Sequence, residues 1–241
     1  MSNMFAKMAL LAAGLGLAAP TLQSEILQPA AEPVSMQNPR HVVLLGASIG
    51  QQWNLPELPQ RLNERRYTFE ALQAWEYDKS ELVEETLMRP ARKFRITPSY
   101  LKGFFRPSPQ PADVIILKEC SSYFPSDLRR DKEFMQRWVQ EIRRKNITVM
   151  LATVVPVTRE RAQHDPGKQE GIREFNDWLR SYAQQQGLPV LDMERALRID
   201  DKERYLRDEL TSGDGSHLNR KAYDILDRLL IESVSTQSAA R

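Results

Sequence analysis

The chain has 241 residues, of which 41% are hydrophobic and 27% charged, an ordinary composition for a globular protein with one full core. A formal net charge of +2, from 34 basic and 32 acidic residues, gives no indication that the partner is nucleic acid. The single cysteine, Cys120, excludes a framework of intrachain disulfides. Three histidines without paired spacing argue against a metal site, and no motif indicates a cofactor.

The N-terminal segment has the pattern of a secretory signal. Residues 1–19 carry one charged side chain, Lys7, then an apolar run at 8–19 that ends near the small residues Gly16 and Ala18. The run is shorter than the roughly 20 residues that a membrane-spanning helix needs. We therefore expect export to the periplasm or beyond, with no stable membrane insertion after cleavage; an uncleaved membrane anchor is the alternative. Residues 20–40 are proline-rich and are predicted to be a linker.

The first predicted strand leads directly to a small hydroxyl. Residues 41–50 are HVVLLGASIG, and the apolar run at 42–45 is typical of a parallel strand that is buried on both faces. Gly46 ends the run, and Ser48 follows two residues later. Because ligands of open α/β sheets bind beyond the carboxyl ends of the strands, Ser48 is a candidate site residue.

Strand and helix patterns alternate along the rest of the chain. Further strands are predicted at residues 67–71, 113–119, 147–155 and 188–192. Helices are predicted at residues 55–65, 134–145, 170–186, 193–199 and 218–231. A further helix is predicted to begin at a cap formed by Asp78 or Ser80. This alternation predicts an α/β fold whose parallel sheet has right-handed crossovers and helices on both faces.

Three stretches lie outside these patterns. Residues 89–112 are basic and proline-rich, and are predicted to be either a surface excursion packed on the core or a wall of a substrate cleft. Residues 156–169 are predicted to be a loop, and residues 233–241 a loose tail. The folded domain is therefore expected to span residues 41–232.

Two charged residues end the third predicted strand. Lys118 and Glu119 close the segment DVIILKE at a strand end that should be partly buried. Either they pair with each other or Glu119 faces the cleft, and adjacent residues of a strand point to opposite faces, which argues against pairing. Cys120 follows; a buried cysteine is usually a small core residue, and a catalytic thiol is the alternative.

A stretch near the C-terminus supplies what a lone serine lacks. Residues 214–223 are DGSHLNRKAY. A serine hydroxyl is a weak nucleophile until a base removes its proton, and His217 is a residue of the type that most often does so. Asp214 could hold the imidazole in one tautomer and stabilise its protonated form. Ser48, Asp214 and His217 are therefore candidate catalytic residues: a nucleophile, an orienting carboxylate and a base.

These two stretches carry a resemblance to a known family. GASIG, at residues 46–50, resembles the first block of the SGNH (GDSL-type) hydrolases, and DGSHLNRKAY resembles their last block, Asp-x-x-His followed by an aromatic-containing helix. The blocks stand in the family's order, although Ala47 occupies the position of the family's usual aspartate. The resemblance covers residues 40–232. It implies a three-layer, flavodoxin-like sandwich with strand order 2-1-3-4-5, and an ester hydrolase with an acyl-enzyme at Ser48.

The resemblance also implies two oxyanion-binding residues at altered positions. Tyr77 stands where the family has a glycine whose backbone N–H binds the oxyanion; the N–H survives the change, but tyrosine does not adopt every glycine conformation cheaply. The family's Gly-x-Asn falls on Cys120 and Ser122. A serine hydroxyl can donate a hydrogen bond but reaches less far than an amide, and Ser121 is the alternative to Ser122.

The resemblance implies a small-molecule, carbohydrate or lipid ester as substrate. Two other functions fit the same sequence. The altered oxyanion blocks would suit a binding module that kept the fold and lost turnover. A sugar hydroxyl that replaced water as the acceptor would make the protein a carbohydrate O-acyltransferase.

Overall fold

The structure, a computed structural model, describes residues 38–74, 78–89 and 110–239. The predicted signal segment, nearly all of the predicted linker, Tyr77 and most of the 89–112 excursion lie outside the described residues. The predictions of export, of a linker and of a cleft wall therefore stay predictions.

The described residues contain one parallel sheet of five strands. In chain order the strands are β1 (Arg40–Gly46), β2 (Tyr67–Gln73), β3 (Val114–Lys118), β4 (Thr148–Ala152) and β5 (Val190–Leu191). Their spatial order is β2-β1-β3-β4-β5, and every neighbouring pair is parallel. This confirms the predicted α/β class and the predicted strand order.

Eight α-helices in the described residues surround this sheet. They are α1 (Ser48–Gln52), α2 (Leu58–Arg61), α3 (Ser80–Leu87), α4 (Leu128–Arg144), α5 (Arg159–His164), α6 (Lys168–Gln186), α7 (Met193–Leu197) and α8 (Arg220–Ala239). Short 3₁₀ turns lie at Leu55–Glu57, Ser121–Tyr123 and Asp208–Leu210.

The core consists of two apolar clusters, one on each face of the sheet. In β1, Leu44 packs in the cluster that contains Leu226 of α8, whereas Leu45 packs in the cluster that contains Trp138 of α4 and Phe175 of α6. Successive residues of a strand point to opposite faces, so both kinds of position must be apolar when helices cover both. The result is the predicted three-layer sandwich.

Four elements differ from the prediction, the first being α4, which begins at Leu128, six residues before its predicted start at 134. The helix expected at 55–65 is a 3₁₀ turn followed by α2, which ends at Arg61. The stretch 156–169, expected to be a loop, contains α5, because the hydroxyl of Thr158 caps it by accepting from the N–H of Arg161 at 3.2 Å. The last helix runs to Ala239, through the stretch expected to be a loose tail, and Val234 packs in the core one turn beyond Leu230.

The carboxyl ends of the strands form the edge at which the candidate residues lie. Ser48 begins α1 directly after β1, and Ser122 lies in the turn after β3, so both occupy the predicted edge. Helix α1 folds back closely on its strand: a Cβ at Gly50 would lie 2.7 Å from Cδ2 of Leu44. A larger residue at position 50 would require the Leu44 side chain to move, so this glycine lets α1 lie close to the strand that leads to Ser48.

Candidate active site

Ser48, His217 and Asp214 form a hydrogen-bonded row at this edge. The Ser48 hydroxyl lies 3.0 Å from Nε2 of His217, and Nδ1 of the same ring lies 2.5 Å from Oδ2 of Asp214. The structure thus brings together the three residues that the two sequence motifs singled out. Because a carboxylate can only accept, the Nδ1–H group donates a hydrogen bond to Asp214. Nε2 is therefore the acceptor that faces the Ser48 hydroxyl.

The position of Ser48 is determined by the junction between β1 and α1. Ser48 is partly exposed, whereas its neighbours Ala47 and Ile49 are buried. The carbonyl oxygen of Ile49 accepts a hydrogen bond of 3.2 Å from the Tyr223 hydroxyl of α8. Among residues 47–49 the serine is thus the one whose side chain reaches solvent, and α8 contacts this segment through Tyr223.

The carboxylate of Asp214 is held by more than the histidine ring. Its Oδ1 accepts from the backbone N–H groups of Ser216 at 2.9 Å and His217 at 2.8 Å. Desolvation would raise the pKa of Asp214, but the hydrogen bonds from the His217 ring and from these two N–H groups outweigh it and lower the pKa to about 2. The carboxylate is therefore ionised at neutral pH, as a partner of the imidazolium must be.

Two threonines, which the sequence analysis missed, hold the loop that carries Asp214 and His217. Gly215 has a φ of +73°, and its carbonyl oxygen accepts from the N–H of Thr158 at 2.9 Å. The hydroxyl of Thr211 accepts from the N–H groups of Gly213 and Gly215, each at 3.1 Å. The glycine in Asp-Gly-Ser-His was the one sequence signal of this close packing, and it did not identify the partners.

Asn219 fixes the other side of His217. Its Oδ1 accepts from the N–H of Ala222 at 3.2 Å, and its Nδ2 donates to the carbonyl oxygens of Glu209 at 2.7 Å and Thr211 at 3.1 Å. Asparagine is a preferred N-cap residue, and this cap places the start of α8 at Arg220, two residues after the predicted start at 218. The base therefore lies between a tied loop and a capped helix.

The structure places Ser122 at the expected edge without testing its role. Ser122 is exposed, and its hydroxyl lies 3.0 Å from Sγ of Cys120, whereas Ser121 is buried. Exposure beside the strand ends is what an oxyanion donor requires. The donor roles of Ser122 and of Tyr77, which lies outside the described residues, stay predictions.

The geometry favours Ser48 over Cys120 as nucleophile. Cys120 is buried, and its sulfur has the Ser122 hydroxyl as a hydrogen-bond partner. The two ring nitrogens of His217 are occupied by Ser48 and Asp214. A catalytic thiol needs an accessible sulfur beside a base, and the histidine already faces the serine.

A buried group of charges underlies the turn that carries Ser122. Glu119 forms an ion pair with Lys79, and the ammonium of Lys118 donates to the carbonyl oxygen of Glu119 at 2.7 Å. Lys118 and Glu119 thus do not pair through their side chains, as the strand alternation suggested. Burial raises the pKa of Glu119 and lowers that of Lys118. Nothing in the sequence identified Lys79 as the partner.

Neither a metal site nor a membrane span is present in the described part of the chain. Within residues 38–74, 78–89 and 110–239, no three histidine, cysteine, aspartate or glutamate side chains are grouped so that they could hold a metal ion. None of the helices in the same residues combines the length and the apolar character that a bilayer crossing requires.

A serine, a histidine and an aspartate hydrogen-bonded in this order, above the carboxyl ends of a parallel sheet, are typical of serine hydrolases. The model of the GDSL-like lipase/acylhydrolase family matches residues 97–225. The chain belongs to this family, and the protein is an ester hydrolase of the GDSL type. The comparison with curated protein sequences found no match.

Solved structures share the fold at low sequence identity. A GDSL-like lipase from Bacteroides thetaiotaomicron has a TM-score of 0.59 at 14% identity, with 86% of this chain and 93% of that chain covered. A lipase/acylhydrolase from Enterococcus faecalis has a TM-score of 0.55 at 17% identity, with 82% and 96% covered. An acetyl xylan esterase has a TM-score of 0.57 at 16% identity, with 80% and 99% covered.

Proposed function

We propose that the protein cleaves carboxylic esters through an acyl-enzyme at Ser48. The observation that carries the proposal is the hydrogen-bonded row of Ser48, His217 and Asp214, with the serine partly exposed where ligands of such sheets bind. The family of the chain supplies the general reaction, and this row supplies a nucleophile, a base and a carboxylate in contact.

The proposed reaction has two acyl-transfer steps. Oγ of Ser48 attacks the ester carbonyl carbon while its proton passes to Nε2 of His217. The tetrahedral intermediate collapses, the bond to the alcohol breaks, and the alcohol leaves with the proton from His217. Water then attacks the acyl-enzyme with His217 again as base, and the acid is released as Ser48 regains its proton. Asp214 stabilises the imidazolium in both steps.

The developing oxyanion needs donors near the nucleophile. The backbone N–H of Ser48 is at the first turn of α1, where helix N–H groups have no partner within the helix. We assign it as one donor, with the backbone N–H of Tyr77 and the hydroxyl of Ser122 as the others. Loss of one such donor typically lowers the rate by about 10²–10³-fold.

The substrate class we propose is a carbohydrate or lipid ester. It is supported by two proteins of similar fold that are named an acetyl xylan esterase and a GDSL-like lipase. Such esters occur outside the cytoplasm, which agrees with the export that we propose from the signal pattern of residues 1–19.

The test is esterase activity with a serine-directed label. Purified protein is given p-nitrophenyl acetate and a fluorophosphonate, and the labelled residue is identified by mass spectrometry. We expect hydrolysis and labelling at Ser48. The variants Ser48→Ala and His217→Ala should each lower kcat by about 10⁴-fold or more, because nucleophile and base act as one unit.

Cys120→Ala is the control, because it removes the thiol and leaves the proposed nucleophile intact. It should keep most of the activity. Loss of activity in Cys120→Ala together with retention in Ser48→Ala would overturn the assignment. A folded wild type that binds esters without turnover would indicate the binding module, and transfer of the acyl group to an added sugar would indicate the O-acyltransferase.

A further inference from the structure

Three charged side chains are buried where β3 ends. We refer to Lys79, Lys118 and Glu119 as the lysine–glutamate cluster. Their relative exposures are 1%, 1% and 4%. None of the three belongs to the row of Ser48, His217 and Asp214, so the proposed reaction leaves their presence unexplained.

The cluster holds residue 119 from both faces of the sheet. The carboxylate of Glu119 pairs with the ammonium of Lys79, which precedes α3. The carbonyl oxygen of Glu119 accepts from the ammonium of Lys118, 2.7 Å away. The Lys118 side chain lies beside Gly46 at the end of β1, since a Cβ at Gly46 would be 3.8 Å from Cβ and Cδ of Lys118. Two charges therefore fix both the side chain and the backbone of Glu119.

Stability alone does not account for this arrangement. Removing a charge from water costs several kcal/mol, and apolar residues of similar volume often replace a buried ion pair without loss of stability. Clusters of buried ionisable groups are instead concentrated at functional sites. The raised pKa of Glu119 and the lowered pKa of Lys118, both caused mainly by burial, are consistent with that cost.

The cluster contacts both ends of the turn that carries Ser122. Residue 119 leads directly into this turn, residues 120–123. At its far end, the Lys79 ammonium lies 5.3 Å from the centre of the Tyr123 ring; it is also 5.4 Å from that of Trp138 in α4. A cation over an aromatic face is attracted to it, most strongly where both are desolvated. The 120–123 turn is thus held at its start by Glu119 and at its end by Lys79.

We propose that Lys79, Lys118 and Glu119 are positioning residues that hold the 120–123 turn, and with it the Ser122 hydroxyl, at the oxyanion. This proposal rests on the proposed function, because it assigns the cluster to the same reaction. The cluster does not touch the reacting atoms. It acts through the turn. Its buried charges supply the rigidity that the turn needs where the sequence departs from the family's oxyanion block.

Cys120 allows the position of the turn to be measured without catalysis. It is the single cysteine of the chain, it lies in the turn, and it is 7% exposed. Glu119→Gln removes the charge that pairs with Lys79 and should increase the rate of reaction with 5,5′-dithiobis(2-nitrobenzoate) by about tenfold or more, through local opening. Ile142→Ala is the matched control, because Ile142 of α4 belongs to the apolar cluster on the Trp138 face of the sheet and its truncation destabilises the fold. Compared at the same free energy of unfolding as Glu119→Gln, this variant should leave the thiol protected.

Kinetics separate positioning from a structural role. Lys79→Met and Glu119→Gln should lower kcat on p-nitrophenyl acetate by about 10²-fold, because a misplaced oxyanion donor acts in the transition state, with KM little changed. Glu119→Asp and Lys79→Arg keep the charges and should restore a part of kcat. Ile142→Ala should keep the wild-type kcat.

The double variant Lys79→Met/Glu119→Leu covers the case in which a single variant fails to fold. It replaces the pair by apolar residues and should retain stability. The proposal expects it to be folded, slow and open to the thiol reagent; wild-type kcat together with a protected thiol overturns the proposal. If the wild type shows no hydrolysis and no label at Ser48, the proposed function fails, and the thiol rates still decide whether the cluster holds the turn.

Discussion

At Gly215 the loop of the proposed base takes a backbone conformation that only glycine adopts cheaply. Its φ is +73°, and a Cβ there would lie 2.6 Å from Oγ1 of Thr158 and 2.8 Å from Cβ of Arg161. Asp214 precedes it and His217 follows two residues later. The close packing beside one glycine therefore constrains the loop that carries the proposed base.

Gly215→Ala should lower kcat by about 10²-fold, because relief of these contacts displaces the loop and a shift of about 1 Å can have that effect. Gly187→Ala is the matched control, since Gly187 has a φ of +62° and no atom within 4 Å of its Cβ position. Both variants carry a similar backbone strain of about 1–2 kcal/mol. Equal kcat values in the two variants, measured with p-nitrophenyl acetate, would contradict the prediction.

At this scale the sequence predicted the residues of the site better than their surroundings. Ser48, Asp214 and His217 came from two short motifs, and the structure brings them into contact. Thr158 could not be found, because its contact with Gly215 joins segments far apart in the chain. The contacts of Thr211 are local, but a threonine carries no motif that would single it out. The pairing of Glu119 with Lys79 was equally hidden, since it depends on how two loops meet across the sheet.

Helix α8 is joined to the start of the domain through one buried carboxylate. Asp227, whose side chain is 2% exposed, accepts from Nε1 of Trp53 at 2.7 Å and from two nitrogens of Arg61, each at 2.8 Å. Trp53 directly follows α1, and Arg61 ends α2. Asp227 is in the same helix as Tyr223, whose hydroxyl donates to the segment that carries Ser48. The last helix thus fixes the position of the first.

Asp227→Ala should lower the free energy of unfolding by about 3–5 kcal/mol, since it leaves the Arg61 charge and the Trp53 N–H without their buried acceptor. Asp224→Ala on the same helix is the control. Asp224 is 45% exposed and pairs with Arg220 one turn away, so its loss should cost less than about 1 kcal/mol. Urea unfolding of both variants measures the difference; comparable losses would show that Asp227 is not a buried link.

The sequence predicted the long elements and missed two of the short helices, α1 and α5. Continuous apolar runs identified the central strands, and one apolar stripe identified α4 and α6, because burial repeats over many residues there. Helix α1 has five residues and α5 six, too few for a period to show. The end of α8 was missed because Val234 alone continues the stripe beyond Leu230 among polar residues.

For the whole molecule, the lowered pKa of Asp214 predicts how stability depends on pH. The folded pKa is about 2 and the ordinary value is 3.8, so the unfolded chain binds the proton more readily. Asp214 therefore contributes stability above pH 3.8, and this contribution is lost as the pH falls towards 2. Its side chain is 50% exposed, so solvent screening keeps the contribution under about 1 kcal/mol.

The difference in unfolding free energy between the wild type and Asp214→Asn should therefore narrow between pH 6 and pH 2.5. Urea unfolding at both values measures it. The pKa of Glu70 is also lowered to about 2, because hydrogen bonds from His41 and Arg89 outweigh desolvation. Glu70 titrates in both proteins, so its contribution to the unfolding free energy cancels in the difference. A difference that stays constant or widens in acid would contradict the assigned pKa of Asp214.

Ser48 and His217 are separated by 169 residues, and the serine is synthesised first. A growing chain carries the hydroxyl through 169 of its 241 residues of synthesis before the imidazole has been made. A product that stops short of residue 214, or a molecule in which α8 has not docked, holds a serine without a base. Reaction with a fluorophosphonate would therefore count completed molecules, and the fraction labelled after refolding would measure the yield of the native state.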